Sequence, residues 1–108
     1  MTTASTATAS PFIHIAPEGK RLDATNAAAF KARAVGALAQ GTRAIVDLSQ
    51  LQFLDSSGIG ALVGIARHLG AEGELRLVVP NPQVRSLLSI TRIDKILPVF
   101  NDAQSAEA

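Results

Sequence analysis

The sequence contains no cysteine, tryptophan or tyrosine, and its only aromatic residues are four phenylalanines. The lack of cysteine excludes disulfides, thiolate zinc sites and a thiol nucleophile, and it suits the reducing cytoplasm, which is the location we expect. With so few aromatic side chains, the core must be built from Ala, Val, Ile and Leu. Apolar residues make up 47% of the 108 residues, which is enough for one domain.

Concentrated charge and long apolar runs are also missing. The formal net charge is +1 and no basic cluster is present, whereas nucleic-acid-binding surfaces concentrate Lys and Arg. No apolar run reaches the ~18 residues of a membrane span, and MTTASTATAS has neither the basic nor the apolar region of a secretory signal. We therefore expect neither a nucleic acid nor a membrane as partner, and we interpret residues 1–10 as a disordered tail.

Apolar periodicity alternates between strand and helix along the chain. Strands are predicted at FIHIA, KRL, RAIVDL, ELRLVV and ILPVF, with the first two joined as a hairpin through the turn residues PEG. Helices are predicted after an N-cap at Asp23, over residues 57–69, and after an N-cap at Asn81, and Gly41 is predicted to end the first. The order β-β-α-β-α-β-α-β predicts an α/β domain, with a mixed, mostly parallel sheet that starts with an N-terminal hairpin and is packed by helices.

Known catalytic arrangements do not fit the segment FLDSSGIGALVG at residues 53–64. His68 lies ~18 Å from Ser56 along a continuous helix, and a lone histidine on the first strand, His14, is more often structural. No G-x-S-x-G motif or phosphate-binding glycine motif is present. Asp47 ends a strand as the phosphate-accepting aspartate of receiver domains does, but the acidic pair that would hold Mg²⁺ is missing. We therefore expect no enzymatic activity, no cofactor and no metal site.

Two interpretations of the polar run Asp55, Ser56 and Ser57 stay open from the residues alone. Asp and Ser are favoured helix caps, worth ~1 kcal/mol when they accept a hydrogen bond from a free backbone N–H. A serine at a helix N-terminus also suits a regulatory phosphate, which adds roughly −1.5 to −2 charges. Gly60 and Gly64, on one helix face, form a smooth strip that suits close packing as well as it suits a partner surface.

The segment IVDLSQLQFLDSSGIGALVGIARHL resembles the central part of STAS domains, and it is most similar to the anti-sigma factor antagonists of bacterial partner-switching systems. LRLVVPNPQVRSLLSITRIDKILPVF resembles the family's next strand, helix and closing strand, and the Leu-Asp of GKRLDA also matches. The resemblance implies one STAS domain over residues 11–101, followed by a tail or a frayed short helix at 102–108. The chain departs from the family at Lys20, where a glycine is usual, and in its short C-terminal end.

The resemblance also implies a mechanism. The unphosphorylated antagonist captures an anti-sigma factor, which is itself an ATP-binding serine protein kinase, and thereby releases the sigma factor. Phosphorylation of the serine after the aspartate ends the capture, and a PP2C-type serine phosphatase restores it. In this sequence that serine is Ser56, and Ser57 would cap the helix. The implied partner-binding residues are Asp23, Asp55, Ser57, Gly58, Ile59 and Gly60.

We expect a monomer. The alternative function is a STAS subunit of another assembly without phosphorylation switching. Such an assembly would be a signalling scaffold, a lipid-transport complex, or a partner switch that controls secretion or biofilm formation. In that case the serines would only cap the helix.

Overall fold

The computed structural model describes residues 11–108, so the predicted tail at residues 1–10 lies outside the described residues. The strands of this part are β1 (Ile13–Ile15), β2 (Arg21–Leu22), β3 (Arg43–Asp47), β4 (Phe53–Leu54), β5 (Glu74–Val78) and β6 (Val99–Phe100). The α-helices are α1 (Ala27–Ala37), α2 (Ser56–Leu69), α3 (Pro82–Ile90) and α4 (Ala103–Glu107), and a short 3₁₀ helix spans Ile93–Lys95. None of the helices within residues 11–108 has the length and apolar character needed to cross a membrane.

The strands form two sheets in which neighbouring strands run parallel. One has the order β1-β3-β5-β6, and the other consists of β2 and β4. The predicted α/β class is confirmed, because strands alternate with helices around a parallel sheet. The central strands β3 and β5 pair along their whole length, from Arg43 opposite Glu74 to Asp47 opposite Val78.

The predicted N-terminal hairpin is wrong. β1 pairs with β3, whereas β2 pairs with β4. The reason lies in the backbone hydrogen bonds at β2: the N–H of Gln52 donates to the carbonyl of Lys20 at 2.7 Å, and the N–H of Asp55 donates to the carbonyl of Leu22 at 3.3 Å. The turn that was expected to fold β2 back onto β1 instead carries the chain away, with Gly19 in the left-handed region at φ +75°.

Helices α1, α2 and α3 cover one face of the larger sheet. Side chains alternate along β3, so that Ala44 and Val46 join the main core with these helices while Ile45 points to the opposite face. That opposite face carries a smaller cluster of Phe12, Ile45, Val78 and Ala106.

The C-terminal helix α4 packs on this smaller cluster through Ala106, which is fully buried. The guanidinium of Arg76 lies 4.6 Å from the ring centroid of Phe12 and donates a hydrogen bond to the carbonyl of Ala106 at 2.6 Å. It also donates to the carboxylate of Glu74 at 2.7 Å. Arg76 therefore joins the sheet to α4 by packing and by hydrogen bonds.

The two predicted ends of α1 are both wrong. The helix begins at Ala27 with Asn26 at the N-cap position, because Asp23 uses its side chain in the preceding turn. It ends at Ala37, where Leu38 adopts an extended conformation and buries its side chain to 1% exposure. Gly41 lies in the turn that follows, at φ +85°.

The N-terminus of α3 agrees with the prediction. Asn81 occupies the N-cap position and accepts a hydrogen bond from the N–H of Gln83 at 2.8 Å, and Pro82 is the first helical residue. This arrangement follows local sequence preferences, because Asn is a favoured cap and proline lacks only an N–H that would be free at that position.

Candidate functional site

The start of α2 is capped by Asp55. Its backbone is extended, with φ −118° and ψ −173°, and its Oδ1 accepts a hydrogen bond from the N–H of Gly58 at 3.0 Å. The prediction that Ser57 caps the helix is wrong, because Ser57 is already the second helical residue. A capping residue must precede the helix and have non-helical backbone angles.

Ser56 and Ser57 are the first two residues of α2, and both are exposed. Asp55 takes the capping position, and neither serine hydroxyl makes a hydrogen bond to any group within residues 11–108. Both hydroxyls therefore lie at the surface, at the positive end of the helix dipole.

The three glycines of α2 have different surroundings. Gly58 is buried, and a Cβ added there would lie 2.5 Å from Cδ1 of Leu54 and closer still to the carbonyl oxygen of Leu22. A Cβ at Gly60 would meet nothing within 4 Å, and one at Gly64 would meet only the flexible end of Lys31. Gly58 thus lets the helix start pack against β2 and β4, whereas Gly60 leaves a smooth exposed surface.

Asp23 lies in a tight turn next to the start of α2. It is only 8% exposed, and its Oδ1 accepts hydrogen bonds from the hydroxyl of Thr25 at 2.5 Å and from the N–H of Thr25 at 3.0 Å. Its Oδ2 accepts from Nε of Arg21 at 3.0 Å. The hydrogen bonds from Thr25, followed by the Arg21 guanidinium, hold the pKa of Asp23 below its ordinary value.

Acid is expected to weaken this turn. Because the folded pKa of Asp23 is lowered, its contribution to stability is present above the pKa of the unfolded chain and is lost as the pH falls through the lower folded value. The difference in free energy of unfolding between the wild type and Asp23→Asn should therefore shrink below about pH 4. Urea unfolding of both proteins from neutral to acidic pH measures this difference. A difference that stays constant across the range would contradict the hydrogen-bonding role of the carboxylate.

The turn that contains Asp23 and the start of α2 are neighbours in space. Oδ2 of Asp55 accepts a hydrogen bond from the N–H of Ala24 at 3.2 Å. Beside this contact, a groove of about 260 Å³ runs between α1 and α2. Its lining consists of Ala24, Ala27, Ala28, Lys31, Ser57, Gly60 and Ala61.

The structure therefore brings most of the predicted site residues together, on two segments that touch through Asp55. Asp55 and Ile59 are half-buried, and Ser56, Ser57 and Gly60 are exposed. The buried Asp23 and Gly58 shape the surface but present little of it. Within the part of the chain that the structure describes, no group of three or more His, Asp or Glu side chains is placed to hold a metal ion.

Sequence reasoning missed Thr25 and Lys31. Aspartate side chains in turns often accept from the backbone N–H two residues further on, which is a usable signal for the contact between Asp23 and Thr25. Lys31, whose side chain lies over Gly64 and lines the groove, has no comparable signal, because its place depends on how α1 packs against α2.

Comparison with known proteins gives one consistent result. A family model described as "STAS domain" matches residues 7–106. The anti-sigma F factor antagonist of Paenibacillus polymyxa is 33% identical over 63 residues, which are 57% of this chain and 54% of that protein. BtrV of Bordetella bronchiseptica, a candidate anti-sigma factor antagonist, is 30% identical over 89 residues, which are 81% of this chain and 77% of BtrV. The chain thus matches about half the length of the first relative and most of the second.

Solved structures agree in fold. The crystal structure of an anti-sigma factor antagonist from Mycobacterium paratuberculosis has a TM-score of 0.74 at 26% identity, with 82% of this chain and 76% of that chain covered. A STAS domain protein from Planctomyces limnophilus has a TM-score of 0.76 at 23% identity, with 88% and 86% covered. At this identity, the similarity to the Planctomyces limnophilus protein shows a shared fold only.

Proposed function

Because this chain belongs to the STAS domain family, we propose that it is an anti-sigma factor antagonist that phosphorylation of Ser56 switches off. In its unphosphorylated form it binds an anti-sigma factor that is also an ATP-binding serine kinase, and the target of that factor is released. The kinase phosphorylates Ser56, and a PP2C-type phosphatase removes the phosphate. The protein itself acts as a binding protein and catalyses no step of this cycle.

The observation that carries the proposal is the placement of Ser56. Its side chain is exposed at the first position of a capped helix and makes no hydrogen bond to residues 11–108. A kinase can therefore reach the hydroxyl without unfolding the domain, and the capped helix fixes the backbone that carries it.

The charge of Asp55 supports the switch. Its carboxylate already occupies the helix N-terminus by accepting from the N–H of Gly58, so this end of the helix carries an anion before any modification. A phosphate on Ser56 would add roughly −1.5 to −2 charges beside that carboxylate. The added charge would lie on the exposed surface, where it repels an acidic partner group and disturbs a contact made for a neutral serine.

The proposed partner surface surrounds Ser56. Ser57 and Gly60 are exposed on the same helix start, and Ile59 offers a partly exposed apolar side chain. Asp23 and Gly58 are both buried. They contribute to this surface indirectly, because they hold the neighbouring backbone in place. The smooth backbone at Gly60 allows a partner segment to approach closely.

Phosphorylation can be mapped directly. Incubation with the cognate kinase, ATP and Mg²⁺, followed by peptide mass mapping, is expected to place one phosphate on Ser56. Ser56→Ala should receive none, while Ser57→Ala, which changes the neighbouring exposed hydroxyl, should still be modified. An unmodified Ser56 would favour the alternative of a STAS subunit in an assembly without phosphorylation switching.

A further inference from the structure

The carboxylate of Asp55 bonds to two different segments of the chain. Oδ1 accepts from the N–H of Gly58 in its own helix at 3.0 Å, whereas Oδ2 accepts from the N–H of Ala24 at 3.2 Å. Capping of α2 needs only the first of these bonds. The second bond joins residues that are 31 positions apart, and it attaches the turn before α1 to the start of α2.

The turn that Oδ2 holds is itself a well-bonded unit. Asp23 accepts from the N–H and the hydroxyl of Thr25, and the N–H of Asp23 donates to Oδ1 of Asn26 at 2.9 Å. The side-chain amide of Asn26 in turn donates to the carbonyl of Arg21 at 2.8 Å. Because these bonds fix the shape of residues 21–26, the bond at Ala24 places the whole turn relative to Ser56.

We propose that Asp55 is a positioning residue, whose Oδ2 sets the distance between the Asp23 turn and Ser56 so that one partner can contact both. This role rests on the proposed function, since it concerns the surface that the kinase binds. The two oxygens of the carboxylate then have different roles. Oδ1 stabilises α2, and Oδ2 holds the turn that contains Asp23 next to Ser56.

Substitutions can separate the two roles. Asn and Ser cap helices about as well as Asp. Asn carries an NH₂ donor in place of one carboxylate oxygen, so Asp55→Asn cannot accept at both of the positions that Oδ1 and Oδ2 occupy. The side chain of Ser is shorter and has one oxygen, so Asp55→Ser keeps a cap and loses the bond to Ala24. Asp102→Asn is a matched control, because Asp102 also caps a helix, by accepting from the N–H of Ser105.

The first measurement uses the free protein. In Asp55→Ser amide hydrogen exchange at Ala24 is expected to become about tenfold faster, as loss of a charge-assisted hydrogen bond predicts, and the urea unfolding midpoint is expected to fall slightly for the same reason. Exchange at Gly58 should change little. Unchanged exchange at Ala24 in both Asp55 variants would overturn the proposal.

The second measurement uses the cognate kinase with ATP and Mg²⁺. For Asp55→Ser and Asp55→Asn we expect KM for the protein substrate to rise by about tenfold with kcat within about twofold, because Ser56 is still presented by a capped helix. Asp102→Asn should match the wild type in both parameters. Faster exchange at Ala24 with an unchanged KM would overturn the positioning role. If the kinase neither phosphorylates nor binds the wild type, the proposed function is rejected, and the positioning role is rejected with it. The exchange data would still report the hydrogen bond from Ala24 to Asp55.

Discussion

Replacement of Gly58 by alanine is expected to lower the free energy of unfolding by about 2 to 3 kcal/mol, the cost of overpacking a tight interior contact. The new Cβ would lie 2.5 Å from Cδ1 of Leu54 and closer to the carbonyl oxygen of Leu22. The leucine side chain can rotate away, but the carbonyl belongs to the backbone of β2 and cannot. The helix start must therefore shift, and with it the position of Ser56. Urea unfolding followed by circular dichroism measures the loss.

Gly60→Ala is the matched control for this prediction. It adds the same methyl group two residues further along α2, where nothing lies within 4 Å. Alanine is the better helix former by up to ~1 kcal/mol, so this variant should be as stable as the wild type or more stable. Equal losses in the two variants would contradict the close packing of α2 against β2.

Ser56→Asp is expected to weaken binding of the cognate kinase by at least about 100-fold, which corresponds to roughly 2.7 kcal/mol of binding free energy. The substitution places a second carboxylate beside Asp55 at the centre of the proposed surface, and juxtaposed like charges at an interface are costly. The free energy of unfolding should change by less than about 0.5 kcal/mol, since the position is exposed. An acidic residue is also favourable in the first turn of a helix.

Two control variants accompany this measurement. Ser56→Ala should bind the kinase like the wild type and resist phosphorylation. Ser86→Asp introduces the same charge at an exposed position of α3, and its affinity should equal that of the wild type. A Ser56→Asp protein that unfolds would assign the serine a structural role, and one that binds with wild-type affinity would contradict the switch.

The parts of the fold that the sequence predicts correctly depend on local patterns. The apolar run at β3 and the helical spacing of α2 identify these elements, and Asn81 with Pro82 marks the start of α3. The N-terminal hairpin was wrong because the partner of β2 is β4, about thirty residues further on. Nothing in the turn residues PEG distinguishes a strand that folds back from one that pairs with a distant segment.

The caps show the same limit at a finer scale. Asp23 has a side chain suited to capping α1, and Asp55 and Ser57 have side chains suited to capping α2. Which residue caps depends on where each helix begins. That boundary is hard to place within one or two residues from sequence. Asp55 caps α2 because it directly precedes the helix and its backbone is extended. Asp23 does not cap α1, because its side chain accepts a hydrogen bond from Thr25 in the preceding turn.

The candidate site was predicted in part. The sequence places Ser56 at a helix N-terminus, and in the structure it is the first residue of α2 and is exposed. The distinct environments of Gly58, Gly60 and Gly64 could not be predicted, because they depend on Leu22, Leu54 and Lys31 from other elements. The bond between Asp55 and Ala24 likewise joins residues 31 positions apart, and its existence depends on the packing of the whole domain.

The most direct test of the phosphorylation switch is the affinity of the cognate kinase for one preparation of this protein, measured by isothermal titration calorimetry before and after phosphorylation. The predicted result is tight binding before modification and a loss of at least about 100-fold once Ser56 carries a phosphate. Treatment with a PP2C-type phosphatase should restore the original affinity. Equal affinity of the phosphorylated and unphosphorylated forms would contradict a switch at Ser56.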